Sequence, residues 1–444
     1  MSGSEKSVAG LSRAVMLAGL AFVSATFAGV PAVPHREAYQ PSAMPDRVIL
    51  TWAGDPATSQ AVTWRTSTAV GKGIAQFAVA TPNKNFTDHA TEVTAETQPF
   101  ESELGTSHYH TAKFENLTPK TKYAFRVGDG TNWTEWSHFV TPSKEAEPFS
   151  FVYFGDAQVD VKSLWSRVIR EAFRDATQPR FFLHAGDLIN SANADNEWGD
   201  WHRAGGWANM MLSTIATPGN HEYGLQSKPA PPAYRLTPFW RAQFAFPTDG
   251  PSGLEETVYF LDYQGTRFVS LNSNQDITQQ VPWLEKTLAS NPNRWTIVTF
   301  HHPIFSAAKL RDNPIIRKMW QPVFDKYKVD LVLQGHDHAY ARTGLETSQK
   351  NVPTGQSAQS GPGGTVYVVS VSGPKMYGVD RDARMHRAGA NLQLYQTISI
   401  DGDQLRYQAI TATGQVYDAF TLKKKDGAPN ELIEQIPNVP EQLK

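Results

Sequence analysis

Hydrophobic and polar positions change period part-way along this chain. Between residues 45 and 143, apolar and polar residues alternate in short runs: RVILTWAG, QAVTWRTS, GIAQFAVA, YHTAKFENL, KYAFRVG and WSHFVTP. Closely spaced runs of period two with turn residues between them predict an all-β sandwich of about a hundred residues. After the polar linker TPSKEAEP the pattern alters. FSFVYFGD, RFFLHAGD, RWTIVTFHH and VDLVLQGHDH read as strands, and VDVKSLWSRVIREAFRDA, VPWLEKTLAS and NPIIRKMWQPVFDKY as helices. VYFLDYQGTRFVSLNS is a strand pair turning at Gln264-Gly265, and NEWGDWHRAGGWANMML reads as helix or loop. TVYVVSV, LYQTISI, QLRYQAIT and VYDAFTL close the chain with strands. Alternation followed by strands predicts an α/β sandwich with mixed sheets over 147–422. The polar, Pro-containing residues 423–444 are expected to form a loosely packed tail.

Residues 1–28 read as an export signal. Lys6 and Arg13 precede AVMLAGLAFVSATFAGV, and Ala28 or Ala32 offers a cleavage point. The competing reading is an uncleaved anchor, since the run is near the minimum spanning length; its Gly, Ser and Thr content favours the signal. Residues 29–44 form a Pro-rich connector. The expectation is a secreted or periplasmic protein with no stable membrane association after signal cleavage. The formal net charge of −2 gives no electrostatic reason to expect nucleic acid. With no cysteine, disulfides, thiolate metal sites and a cysteine nucleophile are excluded.

Four predicted strands stop in residues of one chemical kind: FGDAQ, HAGDLIN, TFHHP and QGHDHAY. A fifth cluster, PGNHEY, follows the short apolar run STIAT. Ligands of open α/β sheets collect outside the carboxyl ends of strands, so the five clusters can meet. Asp156 and Asp187 are spaced as one βαβ unit of roughly thirty residues, and His301 and His336 as a second. Oxygen and nitrogen donors without sulfur suit Zn, Mn, Fe or Ni, and a shared carboxylate is the simplest way to hold two cations together. Such ions, about 3.5–4 Å apart, clamp an in-line displacement at phosphorus and lower the pKa of a bound water. Each motif alone is weak; their order and placement together predict a binuclear centre. The HYH of residues 108–110 lacks nearby carboxylates and is expected on a solvent-facing strand.

The series FGDAQ, GDLIN, GNHE, VTFHH and GHDHAYAR resembles the calcineurin-like metallophosphoesterases. In LTPKTKYAFRVGDG, residues Leu117, Pro119, Tyr123, Phe125 and Val127 resemble a fibronectin type III domain, with Tyr123 as its tyrosine corner. Together they look like the purple acid phosphatase branch, over roughly Pro45 to Leu422. The resemblance implies a fibronectin III-like sandwich followed by a four-layer α/β/β/α catalytic domain. It implies that Asp156 and His338 bind a first metal, that Asp187 bridges both, and that Asn220, His301 and His336 bind the second. His221 matches the proton donor or phosphate contact, and a His at a dication site is suited to act as an acid. His302 matches a substrate-contacting histidine, and Arg342 a structural ion-pair partner.

Two positions depart from that pattern. Asn190 stands where purple acid phosphatases have the tyrosine that binds ferric iron and gives the colour. Asn190 offers at best a neutral carbonyl oxygen to a metal, so two divalent ions (Fe, Zn or Mn) and a colourless protein are expected. Gln158 stands where the family has Gly, and its side chain is expected to narrow the approach to the first metal or to contact substrate.

The resulting expectation is an exported phosphoesterase in which metal-bound hydroxide attacks a small phosphate monoester. A phosphodiesterase using the same two-metal site is the alternative, since the loops decide. A non-catalytic surface binding protein with a structural metal site is a second. Further candidates are His184, as core or metal support, and Trp198, Trp201 and Trp207, with His202 and Asp195, as pocket wall or packed core. Lys309, Arg311 and Asp312 read as phosphate contacts or surface loop, and Lys375, Tyr377 and His386 as loop contacts to substrate.

Overall fold

The computed structural model describes residues 32–176, 178–308, 311–348 and 364–444. The expected signal, the first residues of the connector and Lys309 lie outside them. Two large sheets carry the α/β part. One runs Leu394–Asp401, Phe149–Phe154, Phe181–His184, Ser213–Ala216, with Gln404–Thr411, Val416–Lys423 and Glu431–Glu434 continuing beyond Leu394–Asp401. The other has seven strands, with Thr266–Ser270, Trp295–Thr299, Leu331–Gln334 and Thr365–Val369 parallel in its middle.

Strand side chains sort by parity into two cores, as a pleated backbone requires. Phe151 and Phe181 meet Phe268 of the other sheet, with ring centroids 4.9–5.3 Å apart. On the opposite face Phe154 packs on Trp165, next to the helix Ser166–Asp175. Val269, Val298 and Val332 of the second sheet instead pack with Leu284, Leu288, Trp320 and Phe324 of the helices Gln280–Ala289 and Pro314–Tyr327. The result is the four-layer α/β/β/α arrangement. The predicted strand pair is a hairpin, Tyr259–Tyr263 with Thr266–Ser270, turning at Gln264 and Gly265 with φ of +43° and +83°.

The N-terminal part is a β-sandwich around Val62, Trp64, Phe114, Phe125 and Phe139. The Tyr123 hydroxyl accepts the Thr118 N–H at 2.8 Å, the corner contact expected of it. One of its sheets is not separate. Asp46–Thr51 pairs in parallel with Ser213–Ala216, Thr51 against Thr214, so strands from both halves share one eleven-stranded sheet. Ser213 Oγ donates to Gln60 Oε1 at 3.1 Å beside this seam.

Two expectations are corrected here, and one left open is decided. The tail is docked: Glu431–Glu434 adds a strand beside Val416–Lys423, and the Ala390 N–H donates to the Gln442 carbonyl at 2.5 Å. Trp198 and Trp201 are core, 0% and 1% exposed, while Trp207 lies outward at 60%. His110 is buried rather than solvent-facing, stacked on Trp64 and within 2.7 and 2.8 Å of the Thr66 and Thr97 hydroxyls. At Tyr109 and His110 both faces of this strand are covered, so alternation does not mark an exposed side there.

Burial, then the neighbouring His108, hold His110 down at about 4. Its folded pKa therefore lies below the unfolded value of about 6.5. The stability it contributes is complete above about pH 6.5 and is lost as pH falls toward 4, because only the unfolded chain takes up the proton. Melting temperatures of the wild type and His110→Gln, compared from pH 7 to 4, should show a shallower acid slope in the variant. Parallel slopes would count against a neutral buried His110.

Candidate metal centre

Five strand ends converge. Phe149–Phe154 leads to Asp156, Phe181–His184 to Asp187, Ser213–Ala216 to Asn220 and His221, Trp295–Thr299 to His301, and Leu331–Gln334 to His336 and His338. Parallel pairing in each sheet sets their carboxyl ends side by side. The packing at the turns leaves room only for glycine: a Cβ on Gly219 would stand 2.2 Å from Asp187 Oδ1, and one on Gly335 2.2 Å from Asp156 Oδ1. Asp187, His336 and His338 have φ of +51°, +75° and +47°. Left-handed backbone costs a non-glycine residue about 1–3 kcal/mol, so strain is held where the side chains converge.

Asp187, His301 and His336 form one group of donors, and Asp156, Asp187 and His338 another, each with its atoms within 4.8 Å of one another. Asp187 belongs to both. Its Oδ2 lies 3.2 Å from His301 Nε2, while Oδ1 accepts the His221 N–H at 2.8 Å. Asn220 Oδ1 is 3.1 Å from His301 Nε2 and 2.9 Å from His336 Nδ1.

The proton count shows what the cluster lacks. His301 Nδ1 bonds the Ala185 carbonyl and His338 Nδ1 the Lys375 carbonyl, both at 2.9 Å, so each donates there and turns an Nε2 lone pair inward. His338 Nε2 then faces Asp156 Oδ2 at 3.2 Å, and that oxygen, fully buried, has no hydrogen-bond partner among the described residues. Acceptors opposed in a dry site need a cation between them. Carboxylate, imidazole and amide oxygen donors fit divalent zinc, manganese or iron. In the protein alone a proton serves: burial would lower His301, but Asp187 and Asp156 outweigh it and raise it to about 9. Burial would raise Asp156, but His301 and His338 hold it below the usual carboxylate range.

Asn190 bonds to Ser191 and His221. Its side-chain amide donates to Ser191 Oγ at 3.3 Å, and its carbonyl accepts from His221 Nδ1 at 2.5 Å. The His221 ring is thereby set with Nε2 4.0 Å from Asp187 Oδ2, and its side chain is 25% exposed. Gln158 is buried inside the cluster: its Nε2 donates to Asp187 Oδ2 at 2.8 Å and lies 2.9 Å from His338 Nε2. Lys375 Nζ reaches Gln158 Oε1 at 3.4 Å. His302 Nδ1 is 2.9 Å from Ser273 Oγ, and burial, then His301, hold it down at about 3.

The remaining candidates divide. Arg311 braces the His336 loop, donating to Asp337 Oδ1 and the His336 carbonyl, each at 3.2 Å. Tyr377 packs on His338, with centroids 4.7 Å apart. Asp312 is paired with Arg317, and His386 with Glu434. His184 is core, between Phe154 and Trp201. Arg342 is the ion-pair partner expected, fully buried and bonded to Asp418 at 2.7 and 3.1 Å. Glu222 was missed: its buried carboxylate accepts the N–H groups of Asp187, Leu188 and Gly219 at 2.7–2.9 Å. In PGNHEY it reads as an ordinary turn acid; only its burial reveals that it holds the bridging turn.

Comparison with known proteins agrees with this geometry. Residues 45–141 match the family described as purple acid phosphatase, N-terminal domain, and residues 150–340 match calcineurin-like phosphoesterase. The chain is 29% identical over 250 residues to a purple acid phosphatase of Glycine max, covering 53% of this chain and 52% of that one. It is 26% identical over 316 residues to the Fe(3+)-Zn(2+) purple acid phosphatase 12 of Arabidopsis thaliana, covering 67% and 65%. The matches thus span about half to two thirds of these relatives' own length. The fold is shared with the purple acid phosphatase PPD1 from yellow lupin seeds, at a TM-score of 0.72 and 20% identity over 86% of this chain and 75% of that one.

Proposed function

Because the chain belongs to the calcineurin-like phosphoesterases, joined here to the N-terminal domain of purple acid phosphatases, we propose that it hydrolyses phosphate monoesters at two divalent metal ions. The observation that carries this is the pair of donor groups sharing Asp187, with Asp156 Oδ2 buried and unpartnered among them. Asp156, Asp187 and His338 would hold one ion, and Asp187, Asn220, His301 and His336 the other. Bound there, the ions supply an acidified water and neutralise charge at phosphorus.

The residues around them do the rest. The Asn190 carbonyl orients His221, whose Nε2 is then free to hold the proton that the departing alkoxide takes. His302, neutral and turned by Ser273, would contact the phosphoryl group. Gln158, tied to Lys375, covers one side of the first group and narrows its approach. The β-sandwich over 45–143 would support a catalytic unit over 147–422. Export to the periplasm or medium rests on the apolar run after Arg13, and among the described residues no helix is long and apolar enough to cross a membrane.

The test is a comparison of initial rates on p-nitrophenyl phosphate and bis(p-nitrophenyl) phosphate after metal removal and reloading with zinc, manganese or ferrous iron. A monoester preference that is lost on chelation is expected, with no visible tyrosinate-to-iron band in the loaded protein. A diester preference would overturn the monoester assignment, and no turnover of either ester would overturn the enzyme reading.

A further inference from the structure

A cleft of about 520 Å³ opens directly beside the second donor group, and Asn220 and His302 form its floor. Its walls come from three segments: Tyr223 and Tyr234 of one hairpin, Ser273–Gln275 with Ile277, and residues 312–316, where the chain enters the helix Pro314–Tyr327. Tyr234 is 67% exposed and Ile315 65%, although both lie beside a polar centre. Tyr234 Oη donates to the Asn220 carbonyl at 3.3 Å, which fixes its ring at the edge of the metal ligands, 6.5 Å from the Tyr223 ring.

The polar groups of this cleft are largely spent on the protein itself. Asn274 Nδ2 donates to the Pro218 carbonyl at 2.8 Å, and Asn313 Nδ2 to the Pro303 carbonyl at 2.9 Å. Asp312, the one carboxylate among the described residues that line it, is bonded twice to Arg317, at 2.7 and 2.6 Å. No lysine or arginine is among the described residues that line it. A second phosphate or a carboxylate on the substrate would therefore find no counter-charge among these described residues, whereas an apolar ring would find two tyrosines and an isoleucine.

Resting on the phosphoesterase reading, we propose that this cleft is the subsite for the alcohol part of the ester and that it selects neutral, ring-bearing alcohols. The volume falls within the range of pockets that hold small molecules. Ring contact with Tyr234 together with apolar burial against Ile315 is worth about tenfold in recognition.

The experiment compares benzyl phosphate with ethyl phosphate on the metal-replete chain, because their leaving alcohols have similar acidity. The expected kcat/KM ratio favours benzyl phosphate by at least about tenfold, mostly through KM. Tyr234→Ala and Ile315→Ala should each bring that ratio toward one, while Tyr234→Phe, which keeps the ring, should preserve it. A ratio near one in the wild type, or a ratio unchanged in both alanine variants, overturns the subsite while leaving the phosphoesterase reading intact. Hydrolysis of neither ester by a chain that does turn over p-nitrophenyl phosphate overturns the subsite alone, and inertness toward the p-nitrophenyl esters as well overturns both.

Discussion

Asp187→Asn should bind fewer than two metal equivalents and lose at least about 10³-fold in kcat/KM on any phosphate ester. Asp187 is the only residue shared by the two donor groups. Its two oxygens have separate tasks: Oδ1 accepts the His221 N–H, and Oδ2 faces His301 Nε2 and the Gln158 amide. Asparagine preserves the Oδ1 bond and the volume, so the turn stays folded. At the Oδ2 position it places either a neutral oxygen or an N–H₂ donor, and neither offsets the charge of two cations. The loss is therefore electrostatic rather than a matter of folding. Metal-free Asp187→Asn should melt close to the metal-free wild type, because two effects oppose: it relieves the buried Glu222 carboxyl, which burial, then Asp187, push upward, and it withdraws one of the two carboxylates that hold a proton on buried His301. Metal content by elemental analysis, kcat/KM and melting temperature together separate these effects. Two bound ions with activity within tenfold of wild type would remove Asp187 as the bridge.

Asp195→Ala should destabilise the whole chain by about 3–5 kcal/mol, the range for stripping a buried ion pair of one partner. Asp195 opens the helix Asp195–Gly205 and is 2% exposed. Its carboxylate takes a bond from Arg47, one from Arg65 at 3.3 Å and one from Ser102 Oγ at 2.6 Å. All three partners come from the N-terminal sandwich. Arg65 retains Asp46 when Asp195 is removed; Arg47 keeps only the Tyr109 hydroxyl and the Asp195 carbonyl, both at 3.0 Å. A buried guanidinium left with neutral acceptors accounts for the cost. Asp195→Asn should recover part of it by restoring the acceptor without the charge. Thermal unfolding of the three proteins decides the matter, and a shift of only a degree or so for Asp195→Ala would show that the arginines are satisfied without it. The same helix carries Glu197, which accepts the Asn190 and Ser191 N–H groups at 2.7 and 2.8 Å. The variant should therefore also loosen the carbonyl that orients His221.

Much of the candidate site was legible in the sequence because its residues sit at the ends of apolar runs, where local period and chemistry coincide. Asp156, Asp187, His301, His336 and His338 are of this kind, and so is Arg342 in GHDHAYAR. What stayed hidden depends on partners remote in sequence. Arg47 and Arg65 carry no signal in the sequence, and Asp195 is only one residue of a Trp-rich segment, since nothing in the local pattern says that a strand at 46–51 meets a helix at 195. Glu222 and Glu197 act by accepting backbone N–H groups, a role that leaves no trace in residue spacing. His110 and the tryptophans 198 and 201 were misread or left open because a strand or helix covered on both faces has no polar side to break the symmetry. The tail strand Glu431–Glu434 is too short to stand out from the polar tail around it; it is held by the edge it completes, with Leu432 packed against the core.

The pairing of Thr51 with Thr214 bears on how this protein can be taken apart. A gene cut in the linker near residues 141–148 looks natural from the sequence, but it would pass through a continuous sheet. The C-terminal fragment would carry Ser213–Ala216 as an open edge and Asp195 without its arginines, and an uncovered strand edge is a template for intermolecular pairing. Such a fragment is expected in inclusion bodies rather than in solution. For the same reason the sandwich cannot act as a swinging module on a hinge: wherever the strands of one half move, hydrogen bonds carry those of the other with them.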